Sequence, residues 1–458
     1  MVVEMEILMM TMIINKVSKS SCFLQRRKNN KLKKTISFPI DNFADFRNKM
    51  LNWVQPFNIF CLLDNRHYNF ETPAFECLLA VGSKHSLEGS AGKAFKGLKE
   101  FNSTHNDWIF GHLGYDLKNE TELLTSCGFD GIDFPDYNFF VPEIVLQLSE
   151  NNLIIYADLN VEAIFSAINL QSTIIEQNHF TAIKTLSRTT KEDYISIVKK
   201  LQQHILRGDC YEVNFCQEFF AQNATIDPLF VYDSLVNISP NPFAALYKLN
   251  DRFCICASPE RYIKKIGNKI FSQPIKGTAK RNLQNAQLDD ISKQDLFNSE
   301  KDKCENVMVV DLVRNDLSKI CMEGTVKVDE LFGIYSFPQV HQMISTISGQ
   351  LDDNTDWIDV VKATFPMGSM TGAPKKRVMQ LIEQYEPTKR GLFSGAIGYI
   401  KPNGDADFNV VIRSILYNAT RHYISFQTGS AITFNSIPED EYEECLLKAN
   451  AIKQVLEN

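Results

Sequence analysis

The sequence predicts an α+β fold, and three observations carry that expectation. Strand-like runs come in sequential pairs, helical patterns fall between groups of strands instead of alternating with each one, and turn signals separate the paired runs. Between about 36 and 170, short apolar stretches at 58–63, 108–114, 139–148 and 153–157 read as strands. From Arg188 onward the patterns sharpen. Segment 191–206 places Tyr194, Ile197, Val198, Leu201 and Ile205 on one helical face. Segments 211–220, 253–257 and 262–266 read as strands, 282–290 as a polar, acid-rich loop, and about 302–317 as a helix. A further helix at about 375–384 starts just after Pro374, where the missing N–H costs nothing. Segments 394–401 and 408–417 read as a strand pair joined by the Pro402-Asn403-Gly404 turn. The final helix opens on Ser436-Ile437-Pro438-Glu439, a capping-box pattern, and runs to about Leu456.

At 458 residues the chain has room for two to four domains, or one large core, at roughly 100–200 residues each. Its 44% apolar and 22% charged residues exclude a collagenous or disordered chain, and no run approaches the roughly 18 apolar residues of a membrane span. The net charge of −7 gives no global attraction to nucleic acid or an anionic membrane, so neither is expected as a partner. That charge is unevenly spread. Residues 1–40 hold eight Lys/Arg against Glu4 and Glu6, whereas the remaining 418 residues carry 40 basic and 53 acidic groups. The apolar run 5–14 precedes the positive charges, the reverse of a secretory signal. Residues 1–34 are therefore expected to be a disordered or mis-started basic extension. The eleven cysteines are scattered, odd in number and contain no CxxC, which points to reduced thiols and a cytoplasmic location.

Two glycine-rich stretches fail as nucleotide motifs; Gly391, Gly395 and Gly398 do not match G-x-G-x-x-G. Gly368-Ser369-Met370-Thr371-Gly372-Ala373-Pro374-Lys375 has three residues between its glycines where a Walker loop has four, and Pro374 interrupts its end. An anion site at a helix start, or a plain turn, remains for that stretch. Asp302 and Glu305 lie three apart on one helix, and Glu441 and Glu444 repeat the spacing on another, with Lys448 four residues on. Two such acid pairs suit a hard divalent cation between helices, although exposed helix faces also carry acids commonly. Lys276, apolar on one side and beside Gly277, is a nucleophile if desolvation or a nearby cation lowers its pKa; otherwise it is a surface lysine in a turn. Glu260 is a general acid if burial keeps it protonated, or else a partner of Arg261.

Taken together, these segments resemble the chorismate-utilising enzymes, the family that includes component I of anthranilate synthase and of aminodeoxychorismate synthase as well as isochorismate and salicylate synthases. The resemblance runs from about 188 to 456 and rests on GDCYEVNFCQ (208–217), SPERY (258–262), PIKGT (274–278), KDKCENVMVVDLVRNDL (301–317), VHQMIS (340–345), FPMGSMTGAPKKRVMQLIE (365–383), SGAIGYI (394–400), VIRS (411–414) and EYEECLLKA (441–449). Residues 35–187 match only in length and general character. The resemblance implies large antiparallel sheets packed as a sandwich with helices outside, an N-terminal α+β region at 35–187 and a chorismate-binding catalytic region at 188–458.

Carried over position by position, the resemblance implies Glu305 and Glu444 as magnesium ligands, with Asp302 and Glu441 holding waters around the ion. It implies Arg413 as the clamp on the enolpyruvyl carboxylate, with Gly429 and Ser430 presenting backbone N–H groups to the same side chain. Gly277, Thr278, His341 and Thr371 would line the pocket, and Lys448 would sit near the metal-bound carboxylate. Lys276 implies the aminodeoxychorismate branch, because anthranilate synthases carry alanine there. In that mechanism Lys276 attacks ring carbon 2, Glu260 protonates the departing 4-hydroxyl, and ammonia then displaces the lysine at carbon 4. The product serves 4-aminobenzoate and folate synthesis. Ammonia would come from a separate class I glutamine amidotransferase, since no glutaminase nucleophile elbow occurs here. Anthranilate synthase component I and a weakly catalytic chorismate-binding scaffold are the alternatives. Four departures stand out: Ser430 in the usual glycine-rich triplet, with bulk expected near the pyruvyl site; Thr433-Phe434-Asn435; Met367; and Glu212, where close relatives often have glutamine and isochorismate synthases a lysine.

Overall fold

The computed structural model describes residues 33–68, 76–176 and 182–457. The expectation for 1–34 falls almost wholly outside them. Two antiparallel sheets, of twelve and ten strands, dominate the described residues. Each sheet mixes strands from early and late in the chain. In the larger sheet Ile59–Asp64 lies beside Phe243–Leu249, and in the smaller Ile109–Leu113 lies beside Ala396–Ile400.

Strand alternation shows how the layers stack. Cys61, Leu78, Ala80, Ala245, Tyr247, Cys254 and Cys256 of the larger sheet pack with Phe110, Phe139, Ile263, Ile347, Tyr399 and Phe408 of the smaller one. Their neighbours Phe60, Leu62, Leu79, Leu246 and Ile255 face the other way, onto the helices Phe43–Val54, Val161–Asn169, Pro228–Ile238 and Pro438–Glu457. The result is a sheet sandwich with helices outside, as expected. Ten cysteines are described and all are free. No described helix is long and apolar enough to cross a membrane.

The 191–206 helix forms as Lys191–Leu206, capped by the Thr190 side chain, with Tyr194, Val198 and Leu201 buried. Four expectations need correction. The 408–417 run is two strands in different sheets: Ala406–Asn409 pairs with Ala396–Ile400, and Ser414–Asn418 with Arg252–Ser258. Between them Arg413 adopts a left-handed φ of 52° as the chain crosses over. The 139–148 run likewise divides into Tyr137–Val141 and Ile144–Ser149, one in each sheet. The polar 282–290 segment turns helical at Ala286, because Asn285 caps an Ala286–Asn298 helix. Finally, the Ser436 hydroxyl accepts from the Thr433 N–H, closing the turn before the last helix, which starts at Pro438.

Candidate active site

Strand ends, one bulge and two helices gather the chemistry-bearing side chains. Lys276 belongs to the short strand Ile275–Lys280, whose register against Val340–Gln350 shifts between Ile275 and Thr278. Gly277 makes that bulge possible: its φ is +92°, and a Cβ there would stand 3.0 Å from Asp302. Glu212 opens the strand Glu212–Ala221 and pairs with Ala373. A Cβ on Gly372 would lie 2.1 Å from the Glu212 carbonyl, so this glycine serves a close backbone approach. Gly372–Ala373 thus forms a strand bridge against Glu212. Lys375 is turned inward onto Asp316 and the Thr364 and Pro366 carbonyls.

The Lys276 ammonium donates to Glu212 Oε1 at 2.9 Å, with both side chains largely buried. Desolvation alone would depress the lysine, but the charges of Glu212, Glu305 and Glu260 outweigh it and raise the pKa above its ordinary value. Desolvation therefore does not leave the pKa of this amine lowered, because carboxylates surround Lys276. Glu260 follows the Arg252–Ser258 strand and is 4% exposed. Burial pushes its carboxyl up to about 7, with the charge of Lys276 opposing the shift. The neighbouring Arg261 is held by Asp407 at 3.0 Å. Glu260 thus retains its proton into the neutral range, as an acid catalyst requires.

The two acid pairs do face each other. Lys301 Nζ sits 3.9 Å from Glu305, 3.8 Å from Glu441 and 4.0 Å from Glu444, joining the Glu300–Ser318 and Pro438–Glu457 helices. As the side chains stand, no group of three or more His, Cys, Asp or Glu among the described residues is placed to hold a metal ion. Burial pushes Glu305 up to about 7, with Lys276 opposing the shift. Burial also acts on Glu444, but Lys448 at 2.7 Å, with Lys301 and Lys276 behind it, holds that carboxyl below its usual value. Lys448 donates in addition to the Gly429 carbonyl at 2.9 Å. Asp302 lies against Gly277, so it borders the lysine turn.

Arg413 differs from every other cation here. Its desolvation lowers its pKa, Glu444 offsets this only by charge, and no hydrogen bond or ion pair from its guanidinium occurs among the described residues. A half-buried, unpartnered guanidinium on left-handed backbone is poised for an anion. His341 is engaged instead, through Ser336 at 2.9 Å and Asp289 at 3.1 Å. Thr371 is fully buried and donates to the Met367 carbonyl at 3.2 Å, while Thr278 is exposed. Ser430 is fully buried, 3.1 Å from the Tyr194 hydroxyl, so its side chain packs under the Lys191–Leu206 helix. Sequence reasoning missed Lys301, Asp289 and the Glu212–Lys276 contact. Only Lys301 left a signal, its i,i+4 spacing to Glu305.

The sequence profile of the family described as chorismate binding enzyme matches residues 60–454. This chain belongs to that family. The match extends far into the N-terminal region that the motifs alone left unassigned. Among curated relatives, aminodeoxychorismate synthase component 1 of Bacillus subtilis (strain 168) is 32% identical over 363 residues, covering 76% of each chain. The protein of the same name from Salmonella typhimurium is 35% identical over 352 residues, again covering 76% of each. The solved structure of anthranilate synthase component I from Streptococcus pneumoniae TIGR4 superposes with a TM-score of 0.73 at 25% identity, covering 84% of this chain and 94% of that one. Family membership agrees with the α+β sandwich and with an enzyme of chorismate chemistry.

Proposed function

We propose that this chain is the chorismate-aminating component of an aminodeoxychorismate synthase, forming 4-amino-4-deoxychorismate from chorismate and ammonia. The observation that carries the reading is Lys276: a buried amine beside Glu212, close enough to Glu260 for each to alter the other's charge state. Lys276 bonds to ring carbon 2, the ring double bonds shift, and the C4–O bond breaks as Glu260 supplies its proton to the departing hydroxyl. Ammonia then bonds to carbon 4 and the C2–N bond to Lys276 breaks, leaving the amine where the hydroxyl stood. Arg413 suits the enolpyruvyl carboxylate. Glu305 and Glu444 would hold a magnesium ion, with Asp302 and Glu441 on its waters. They offer hard oxygen donors and already surround one cation, Lys301, and magnesium needs only one or two direct carboxylates. When bound, that ion would neutralise the ring carboxylate. A glutamine amidotransferase partner supplying ammonia, a cytoplasmic location and a role in 4-aminobenzoate and folate synthesis belong to the same proposal.

The test is incubation with chorismate, an ammonium salt and magnesium, with products separated by chromatography. Aminodeoxychorismate is expected, and its formation should stop when EDTA removes divalent cations. Anthranilate would select the alternative branch, and no turnover would leave a scaffold subunit.

Two variants probe single groups. Arg413→Gln should weaken chorismate binding by about 2 kcal/mol or more, roughly 30-fold, because one member of a desolvated charge pair is lost. A KM within threefold of the parent's would contradict the carboxylate clamp. Glu260→Gln should slow turnover by about 10²–10⁴-fold. Because Glu260 acts in its protonated form, turnover corrected for free ammonia should fall as pH rises past about 7, and this limb should vanish in the variant.

A further inference from the structure

Nothing in the proposed route says what takes the proton from Lys276 before it attacks. The amine is held as an ammonium by its surroundings, and an ammonium has no lone pair to offer. The proton must therefore pass to a group already in contact with Nζ. Among the described residues that group is Glu212, the one carboxylate hydrogen-bonded to the amine, at 2.9 Å. Glu305 and Glu260 act on Lys276 through their charge, and no hydrogen bond or ion pair joins either to it. Glu260 is also committed, carrying the proton that the leaving hydroxyl needs.

Glu212 is built for a fixed position. It is 2% exposed, its backbone is pinned by pairing with Ala373, and the missing side chain of Gly372 lets the two segments close together. Its second oxygen, Oε2, is buried and has no hydrogen-bond partner among the described residues. That oxygen faces no competing donor, so among the described residues the carboxylate is free of any partner except Lys276 at its other oxygen.

We propose that Glu212 is the proton acceptor and donor of Lys276 and so a catalytic base of this site. The inference rests on the covalent reading of Lys276 given above. The balance runs in four moves. Glu212 takes a proton from the Lys276 ammonium, leaving a neutral amine and a carboxylic acid. The amine's lone pair bonds to ring carbon 2 as Glu260 protonates the departing hydroxyl, so water leaves and the adduct nitrogen becomes a secondary ammonium. Ammonia bonds to carbon 4, the C2–N bond breaks with its electrons returning to nitrogen, and Glu260 recovers a proton from the new ammonium at carbon 4. Glu212 then returns its proton to Lys276. Overall, chorismate and ammonia become aminodeoxychorismate and water.

The experiment is a time course of intact-protein mass with chorismate and magnesium and no ammonia, on the full chain. The parent protein should gain the mass of chorismate less one water, on the peptide containing Lys276. Glu212→Gln should form the same adduct about 10²–10⁴-fold more slowly while still binding chorismate. Glu212→Asp, which keeps a carboxylate, should recover part of the rate and covers the case in which the glutamine variant does not fold. An adduct rate in Glu212→Gln equal to or faster than the parent's overturns the role of Glu212 and leaves the covalent reading standing. A parent protein that turns over with ammonia and never gains the adduct mass overturns the covalent reading, and this inference with it.

Discussion

Replacing Lys276 with alanine is expected to reduce formation of the carbon-4 amine by roughly 10⁴-fold or more at saturating ammonium. A tethered nucleophile gains its advantage from being held at the reacting carbon, and free ammonia has no such placement at carbon 2. Chorismate affinity should change far less, because Arg413 and the facing acid pairs are untouched. A structural confounder is built into this variant. Removing the lysine strands the Glu212 carboxylate, which is 2% exposed, and an uncompensated buried charge costs about 3–5 kcal/mol. Adding Glu212→Gln to Lys276→Ala should restore much of the stability and none of the activity. Steady-state rates and denaturant midpoints on the single and double variants separate the two effects. A double variant that regains turnover would contradict the nucleophilic role.

Arg390→Met is expected to give the largest loss of stability, about 3–5 kcal/mol, read as a fall in the denaturant midpoint. Arg390 is 2% exposed and holds Glu386 through both oxygens, at 2.6 and 2.9 Å. It also donates to the Met370 carbonyl at 2.6 Å and the Asn214 carbonyl at 2.8 Å, with its guanidinium 4.7 Å from the Tyr115 ring centroid. Glu386 in turn accepts the Cys216 N–H at 2.8 Å. This buried pair ties the strand that begins at Glu212 to the segment leading into Thr371. Methionine fills the space but leaves Glu386 charged and unpaired. Pairing the change with Glu386→Leu should recover most of the loss, because apolar replacement of both partners is often neutral. A single variant within about 1 kcal/mol of the parent would contradict this role.

Much of the site was legible because its chemistry repeats at helical spacing or sits in short dense motifs. The Asp302/Glu305 and Glu441/Glu444 pairs were visible as i,i+3 acids, and the structure turns them toward each other across Lys301. The Glu212–Lys276 contact was not legible, since 64 residues separate the partners and they lie in different sheets, meeting only where the two sheets pack together. Fold errors share one physical cause. Runs such as 139–148 and 408–417 are mostly buried and carry apolar residues on successive positions, so periodicity could not show the chain leaving one sheet for the other. The second of those crossings places Arg413, so the hardest stretch to read is also one that shapes the site.

In the proposed mechanism nitrogen enters at ring carbon 4 by two successive displacements. The most direct measurement is NMR of the product formed from chorismate and 15N-ammonium by the parent protein with magnesium. The account predicts 15N bonded to carbon 4, with the ring non-aromatic, the enolpyruvyl group retained and the amine on the same face that the hydroxyl occupied. Nitrogen at carbon 2 with loss of pyruvate, or inversion at carbon 4, would contradict it.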